Sequence, residues 1–480
     1  MHLILNVQEQ GIIQGSFYLI IAQLGFLASG YLVHIGLGRI LGPDSYGAYA
    51  IIISIATIFN MFLITGMPQA VAKYCAENRN QARNVLRSSL TITISISAII
   101  SMLIILLSPV LAHFFNDDSL KIFIQVISIM IIPYGPLMTI AGYYNGLQDY
   151  RTQSLLYTLY NVLKPVLIFI FVYSGFSLWG AVLGFVFSPV IPLMLGLFLV
   201  GIFSLLSVDN FSFKKIIAFS LPIMILSAII NLILTLDLFF IKSILVDDQI
   251  VGYYSAASQI SRIVYFLLLS IGSTIFPAIA ACMLNFERIR DYLSESIRYT
   301  LMVMIPFIVI LVITAKPLIY LIFTCQYAPS VDPLKILLIG MGFFGFFYLL
   351  ITIISGSNQP YLAMTFSFLV LLIDIGANSV FIPIIGMNGG AWATTIASLI
   401  GSGLCLLYLH KKYGFSIEWI TLIKIIISTA IVAIFIKFLE FLGMFLILEY
   451  LIAFLGYFIL LYVFHEIKSK DIARFKCLFS

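Results

Sequence analysis

Apolar positions along this chain do not alternate with polar ones. They run in long blocks closed by glycine, proline or charge. Fourteen blocks recur, over 11–38, 46–72, 88–115, 120–145, 152–174, 178–206, 215–244, 250–282, 292–323, 333–355, 360–384, 389–410, 417–438 and 444–465. Crossing a hydrocarbon core takes ~20 apolar residues, so each block predicts a transmembrane helix. Blocks longer than ~25 residues predict tilt, kinks or extension beyond the bilayer. No loop between them exceeds ~20 residues, too few for a folded soluble domain.

Composition turns that pattern into a class. Hydrophobic residues make up 62% and charged residues 9% of the 480, against ~25% charged in soluble chains. These figures exclude a soluble globule, a disordered chain, a coiled coil and collagen. The expectation is an all-α polytopic membrane protein of about fourteen transmembrane helices. Five cysteines (Cys75, Cys282, Cys325, Cys405, Cys477) are scattered without a C-x-x-C pair, so neither a disulfide framework nor a metal knuckle is expected. The first block, Gly11 to Gly38, lacks a basic region before it and a small-residue cleavage site after it. It is expected to be a retained helix rather than a signal peptide.

Charge then orients the chain. With the N-terminus inside, one set of loops holds sixteen basic residues, among them Lys73, Arg79, Arg83, Arg87, Arg298 and the tail residues Lys468, Lys470, Arg474 and Lys476. The opposite set holds six: Arg39, Lys121, Lys242, Lys316, Lys335 and Lys437. Lys164, Arg262 and Lys424 fall inside predicted spans. The bias predicts a multi-pass protein of the cell membrane with both termini cytoplasmic and an even number of spans. A net charge of +5 so distributed argues topology rather than nucleic-acid binding.

The two halves echo each other. Gly146-Leu-Gln-Asp-Tyr150 resembles Gly356-Ser-Asn-Gln-Pro-Tyr361, and Trp179-Gly180-Ala181 resembles Gly389-Gly390-Ala391. Pro109 precedes Phe115 as Pro317 precedes Phe323, and Gly47-Ala-Tyr49 matches Gly252-Tyr-Tyr254. The offsets are 210, 210, 208 and 205, in order along the chain. Helices 1–6 therefore repeat as 7–12, and an even unit makes the lobes parallel. The expected organisation is a lobe over 1–210, a lobe over 211–412, and helices 13 and 14 with a cytoplasmic tail over 413–480.

The segment Gly38-Arg39-Ile-Leu-Gly42-Pro43-Asp-Ser-Tyr46-Gly47-Ala-Tyr49, with Gly66-Met-Pro68 and Ala72-Lys73-Tyr74, resembles the polysaccharide-export branch of the MOP exporter superfamily, which includes Wzx-like oligosaccharide flippases. Ser220-Leu-Pro222, Leu236-Asp237, Val251-Gly252-Tyr253-Tyr254 and Ile275-Phe-Pro277 agree in the second half. These motifs are mostly helix-end glycines and prolines, so they speak to fold more than to substrate. The resemblance implies a MOP/MATE-like pair of six-helix lobes around a cavity, and a polyprenyl phosphate- or diphosphate-linked oligosaccharide as cargo. A sugar head would lose its hydrogen bonds to water in hydrocarbon, and a polar cavity replaces them. Membrane lipid is a further partner, and glycan-assembly enzymes are candidate ones.

Ionisable residues at membrane depth are the site candidates. Lys164, beside Pro165, and Arg262 are candidate cavity cations for a lipid-carrier phosphate, as is Arg39, which lies in the family motif. The competing reading of Lys164 and Arg262 is a structural ion pair with Asp237 or Asp374. Asp237 and Asp374, with Asn378 one turn beyond Asp374, are candidates for H⁺ or Na⁺ coupling. Arg39 and Lys242, near Asp44, Asp247 and Asp248, suggest an outer gate closed by ion pairing, or caps that snorkel to the interface. Lys424 is expected to snorkel.

No Gly-Lys dipeptide occurs, which excludes a P-loop, and His465-Glu466 lacks the second histidine of a zincin. No enzyme, metal site or bound cofactor is expected. The alternative function is a MATE-type multidrug or organic-cation antiporter, which would favour acidic cavity residues. A glycan polymerase or transferase would need a large loop or an appended domain.

Overall fold

A backbone crossing lipid must satisfy its own N–H and C=O groups, and a helix does so within one segment. The computed structural model describes residues 2–201, 209, 211–281, 286–415, 419–441 and 446–466. Within them all fourteen blocks are helical and no strand occurs. Ten helical stretches among the described residues are long and apolar enough to cross a membrane, and two of these, Phe17–Glu77 and Tyr150–Val200, each cover two predicted spans. Asn210, Cys282, Cys477 and the tail residues Lys468, Lys470, Arg474 and Lys476 lie outside the described residues.

Several blocks that read as single helices are interrupted, and proline sets where. Helices end at Ile129, at Phe187 beside Ser188, and at Ile313. Pro133, Pro192 and Pro317 follow four residues after Ile129, Ser188 and Ile313. A proline lacks the N–H that would bond the carbonyl four residues back, and its ring crowds that carbonyl. The first two blocks instead form one continuous stretch, His2–Ile64, bent at Gly42 (φ 75°, ψ 173°) just before Pro43. Only glycine adopts that conformation without strain. In the seventh block Phe213–Ile233 gives way to Leu236–Leu245 without a proline. There the Thr235 hydroxyl donates to the carbonyl of Asn231 at 2.7 Å, competing with the backbone ladder.

The internal echo extends to single hydrogen bonds. After Gly146, the amides of Leu147, Gln148 and Asp149 bond the carbonyls of Tyr143, Asn145 and Tyr144. After Gly356, those of Ser357, Asn358 and Gln359 bond Ile353, Ser355 and Ile354. Gln148 and Asn358 both take left-handed backbone angles, φ 64° and 60°. Phe115 and Phe323 likewise bond the carbonyl four residues back at 3.0 and 2.9 Å.

The chain divides into two compact units, Met1–Ser255 and Ala256–Ser480, the boundary falling inside the Asp248–Ala281 helix. In the first unit the Phe213–Ile233 helix packs on Gly66–Glu77 and Ala82–Phe114 through Met67, Ala70, Ile92, Ile216 and Met224. In the second, the last two helices pack on Phe286–Ile313 through residues such as Met302, Ile425, Val432 and Tyr457. Lys424 does not snorkel freely. Its Nζ lies 3.3 Å from the buried carboxylate of Glu466.

Each unit contains a helical hairpin closed by glycine. A Cβ on Gly180 would lie 2.7 Å from the Phe171 carbonyl carbon, and one on Gly389 would lie 2.4 Å from that of Phe381. Gly180→Val and Gly389→Val should each cost about 2 kcal/mol through overpacking, seen as a lower thermal midpoint in detergent. Gly376→Ala, where an added Cβ meets nothing within 4 Å, should leave the midpoint unchanged or slightly raised.

Candidate functional site

Lys164 stands near the middle of the Tyr150–Phe171 helix, whose first turn is capped by Asp149 accepting from the Thr152 amide at 3.1 Å. A lysine at the centre of a transmembrane helix costs about 3 kcal/mol on insertion scales. Here the side chain is 7% exposed, and its ammonium lies 5.6 Å from the Tyr160 ring centroid and 5.7 Å from that of Phe26. The ring faces partly replace the lost hydration. The neighbouring helix supplies Phe26 because the two run side by side in one direction. Ser154 donates to the Tyr18 carbonyl at 2.8 Å and Asn161 to that of Ala22 at 3.3 Å. One turn from Lys164, the buried Asn161 Oδ1 has no hydrogen-bond partner among the described residues, and Pro165 provides no amide for the Asn161 carbonyl. The result is a buried cation one turn from a buried side-chain acceptor without a partner among the described residues.

Arg262 is half-buried in the Asp248–Ala281 helix. Tyr265, one turn on, packs its ring 5.3 Å from Phe344 and 5.8 Å from Tyr348. Arg39 is exposed, three residues before the Gly42 bend.

Asp237 is 1% exposed in the first turn of the Leu236–Leu245 helix. One carboxylate oxygen accepts from the Leu238 amide at 2.8 Å and the other from the Tyr254 hydroxyl. The break at Thr235 creates this helix N-terminus, whose positive end favours a carboxylate.

Asp374 and Asn378 are both fully buried on one face of the Pro360–Ile385 helix. The Asn378 amide donates back to the Asp374 carbonyl at 2.9 Å, while its Oδ1 has no partner among the described residues. Close contacts fix the register against the next helix, Met387–Tyr413. A Cβ on Gly401 would lie 2.4 Å from Val370, and one on Gly389 would meet Phe381. Between these contacts on the Met387–Tyr413 helix lie Thr394 and Ser398. Both are fully buried, and the Ser398 hydroxyl has no partner among the described residues. A polar layer thus crosses an otherwise apolar hairpin. Sequence reasoning missed Thr394 and Ser398; their spacing of four on the helix after the Gly386 turn was the available signal.

The charges expected at an outer gate are partly brought together. Lys242, 2% exposed, bonds Asp248 at 2.7 Å and Asp117 at 2.8 Å. Asp117 lies in the turn after Ala82–Phe114, far away in sequence, and was not among the expected gate residues. Asp247 instead caps a helix, accepting from the Gln249 and Ile250 amides. Nearby, the repeat-related Gly47 and Gly252 allow two backbones to touch. A Cβ on Gly47 would lie 1.9 Å from the Asp248 carbonyl oxygen, and one on Gly252 would lie 1.9 Å from that of Pro43. Tyr46, fully buried, meets His34 Nδ1 at 3.1 Å and accepts from Ser255 at 3.3 Å.

This arrangement has the fold of the MOP-superfamily transporters. A lipid II flippase, MurJ, in an inward closed conformation matches with a TM-score of 0.75 and 17% identity, over 95% of this chain and 99% of that one. An inward-facing MATE-family multidrug resistance transporter of the MOP superfamily matches with a TM-score of 0.68 and 16% identity, over 84% and 98%. The chain belongs to the polysaccharide biosynthesis protein family, whose model matches residues 12–283, in agreement with the motifs around Gly42-Pro43. A membrane protein of Methanocaldococcus jannaschii, MJ1068, is 21% identical over 443 residues, 86% of this chain and 87% of its own length.

Burial pushes the Asp117 carboxyl up, but the hydrogen bonds and charge of Lys242, with the Ser119 bonds, outweigh it and hold the group below its ordinary value. Burial and the nearby Asp117 and Asp44 hold Asp248 above its ordinary value against the pull of Lys242. Asp117 therefore contributes stability at and above the ordinary aspartate pKa of ~3.9, lost as pH falls through its lower folded value. Lys242→Ala should raise hydrogen–deuterium exchange across residues 112–121 several-fold at pH 7, with Lys242→Arg close to the parent. The parent's protection, after allowance for the intrinsic pH dependence of exchange, should fall to that of Lys242→Ala only below that ordinary pKa. Equal exchange in parent and Lys242→Ala at neutral pH rules out a closure.

Proposed function

We propose that the protein is a flippase that carries a polyprenyl phosphate- or diphosphate-linked oligosaccharide from the cytoplasmic to the outer leaflet of the cell membrane. The observation that carries this reading is the buried Lys164 ammonium, flanked by Phe26 and Tyr160 near the unpaired Oδ1 of Asn161, in a member of a polysaccharide-biosynthesis family. An anionic lipid carrier supplies the counter-charge, and sugar hydroxyls supply the donors. Arg262 and Arg39 are the further cations assigned to the carrier phosphate.

Transport proceeds by alternating access of six-helix lobes over 1–210 and 211–412, with 413–480 as an addition and both termini cytoplasmic. The chain acts as a transporter rather than an enzyme. H⁺ or Na⁺ drives the cycle through Asp374 and Asn378, with Asp237 as the second carboxylate. The orphaned Asn378 Oδ1 and Ser398 Oγ are oxygen ligands suited to a small cation. Glycan-assembly enzymes are the partners that load and consume the cargo.

The test uses proteoliposomes and a fluorescent polyprenyl-diphosphate glycan, following exposure of the headgroup to an external glycosidase. Parent protein should expose it, and Lys164→Met or Arg262→Ala should slow exposure at least tenfold while still inserting. No exposure by the parent, with or without an ion gradient, refutes the reading. Export of an organic cation in the same vesicles would favour the antiporter. Asp374→Asn should retain binding of the glycan lipid and lose the response of flipping to a Na⁺ or H⁺ gradient. A preserved response would remove Asp374 from coupling.

A further inference from the structure

The C-terminal helix pair ends in a cluster of charges that membrane depth alone does not require. Glu466 is 3% exposed, just past the Leu446–Val463 helix. Arg298 Nε donates to its carboxylate at 3.1 Å, and Arg298 Nη2 donates to its backbone carbonyl at 2.6 Å. The Thr421 hydroxyl donates to the same carboxylate oxygen at 2.9 Å, and Lys424 reaches the other at 3.3 Å. Three helices, Phe286–Ile313, Trp419–Phe441 and Leu446–Val463, are thereby tied at one point.

The same helices are joined along their length. Tyr457 donates to the Met302 carbonyl at 2.8 Å, and the Tyr450 and Thr314 hydroxyls meet at 2.7 Å. These three ties advance along Phe286–Ile313 as they retreat along the last helix, from Arg298 with Glu466 to Thr314 with Tyr450. The two helices are antiparallel and held in one register. Apolar packing between them, through Met302, Ile425, Val432 and Tyr457, is non-directional and tolerates sliding. In lipid it lacks the hydrophobic drive it would have in water. A buried carboxylate held by directional donors does not tolerate sliding, because displacement strands charges away from water.

We infer that Glu466 is a clasp that makes the C-terminal helix pair move as one body with the Phe286–Ile313 helix during transport. Its transport consequence rests on the flippase reading, whereas the clasp itself does not.

Two measurements separate them. Hydrogen–deuterium exchange of the full-length protein should rise at least fivefold across Leu446–Val463 in Glu466→Ala, with no change across Ala82–Phe114. Arg298→Ala should do the same, and the double variant should add little, as expected for partners in one interaction. Glu466→Gln, which keeps the shape and loses the charge, should give an intermediate rise and serves if the alanine variant does not fold. Unchanged exchange in Glu466→Ala and Glu466→Gln overturns the clasp. Flipping of the polyprenyl-diphosphate glycan should fall at least threefold in Glu466→Gln. Raised exchange with parental flipping overturns the coupled movement. Absence of flipping in the parent counts against the flippase reading and leaves the exchange result standing.

Discussion

Everything in this chain follows from the cost of placing a polar group in hydrocarbon without a partner. The backbone meets that cost by remaining helical. Where the helix fails, at the carbonyls before Pro133, Pro192 and Pro317, the break is short and the chain resumes at once. Side chains meet it by turning back onto their own helix, as the Thr235 and Asn378 groups do, or by pairing across helices.

Buried ionisable groups show three solutions to one problem. Lys242 is neutralised by two carboxylates, Asp117 and Asp248, at the end of the first unit. Glu466 is neutralised by Arg298 and Lys424 in the second. Lys164 is met by aromatic faces and sits one turn from the unpaired Oδ1 of Asn161. The first two fit closure and attachment, because both signs of charge come from the chain. In the proposed function, the third is met by a ligand that brings its own negative charge.

The polar layer of the Pro360–Ile385 and Met387–Tyr413 hairpin extends this logic. Asp374, Asn378, Thr394 and Ser398 are buried where apolar residues would pack more cheaply. The close approach at Gly389 and Gly401 packs the two helices tightly against each other.

Apolar blocks closed by glycine, proline or charge were enough to read fourteen helical segments, because lipid penalises every residue by its own chemistry and position. The burial of Lys164, Asp237, Asp374 and Asn378 was legible for the same reason: a charge or amide inside an apolar run stands out without knowledge of its neighbours. Proline breaks were only partly legible, since Pro133, Pro192 and Pro317 end a helix four residues back whereas Pro109, Pro165, Pro222 and Pro306 lie inside continuous helices. Pairings were not. Nothing local joins Asp117 to Lys242 or Arg298 to Glu466, residues separated by 125 and 168 positions. Lys424 read as a snorkelling side chain until its carboxylate appeared. Sequence by itself determined which groups need partners in the membrane. Tertiary structure decided which partner each one has, because pairing depends on helix register and on which faces meet.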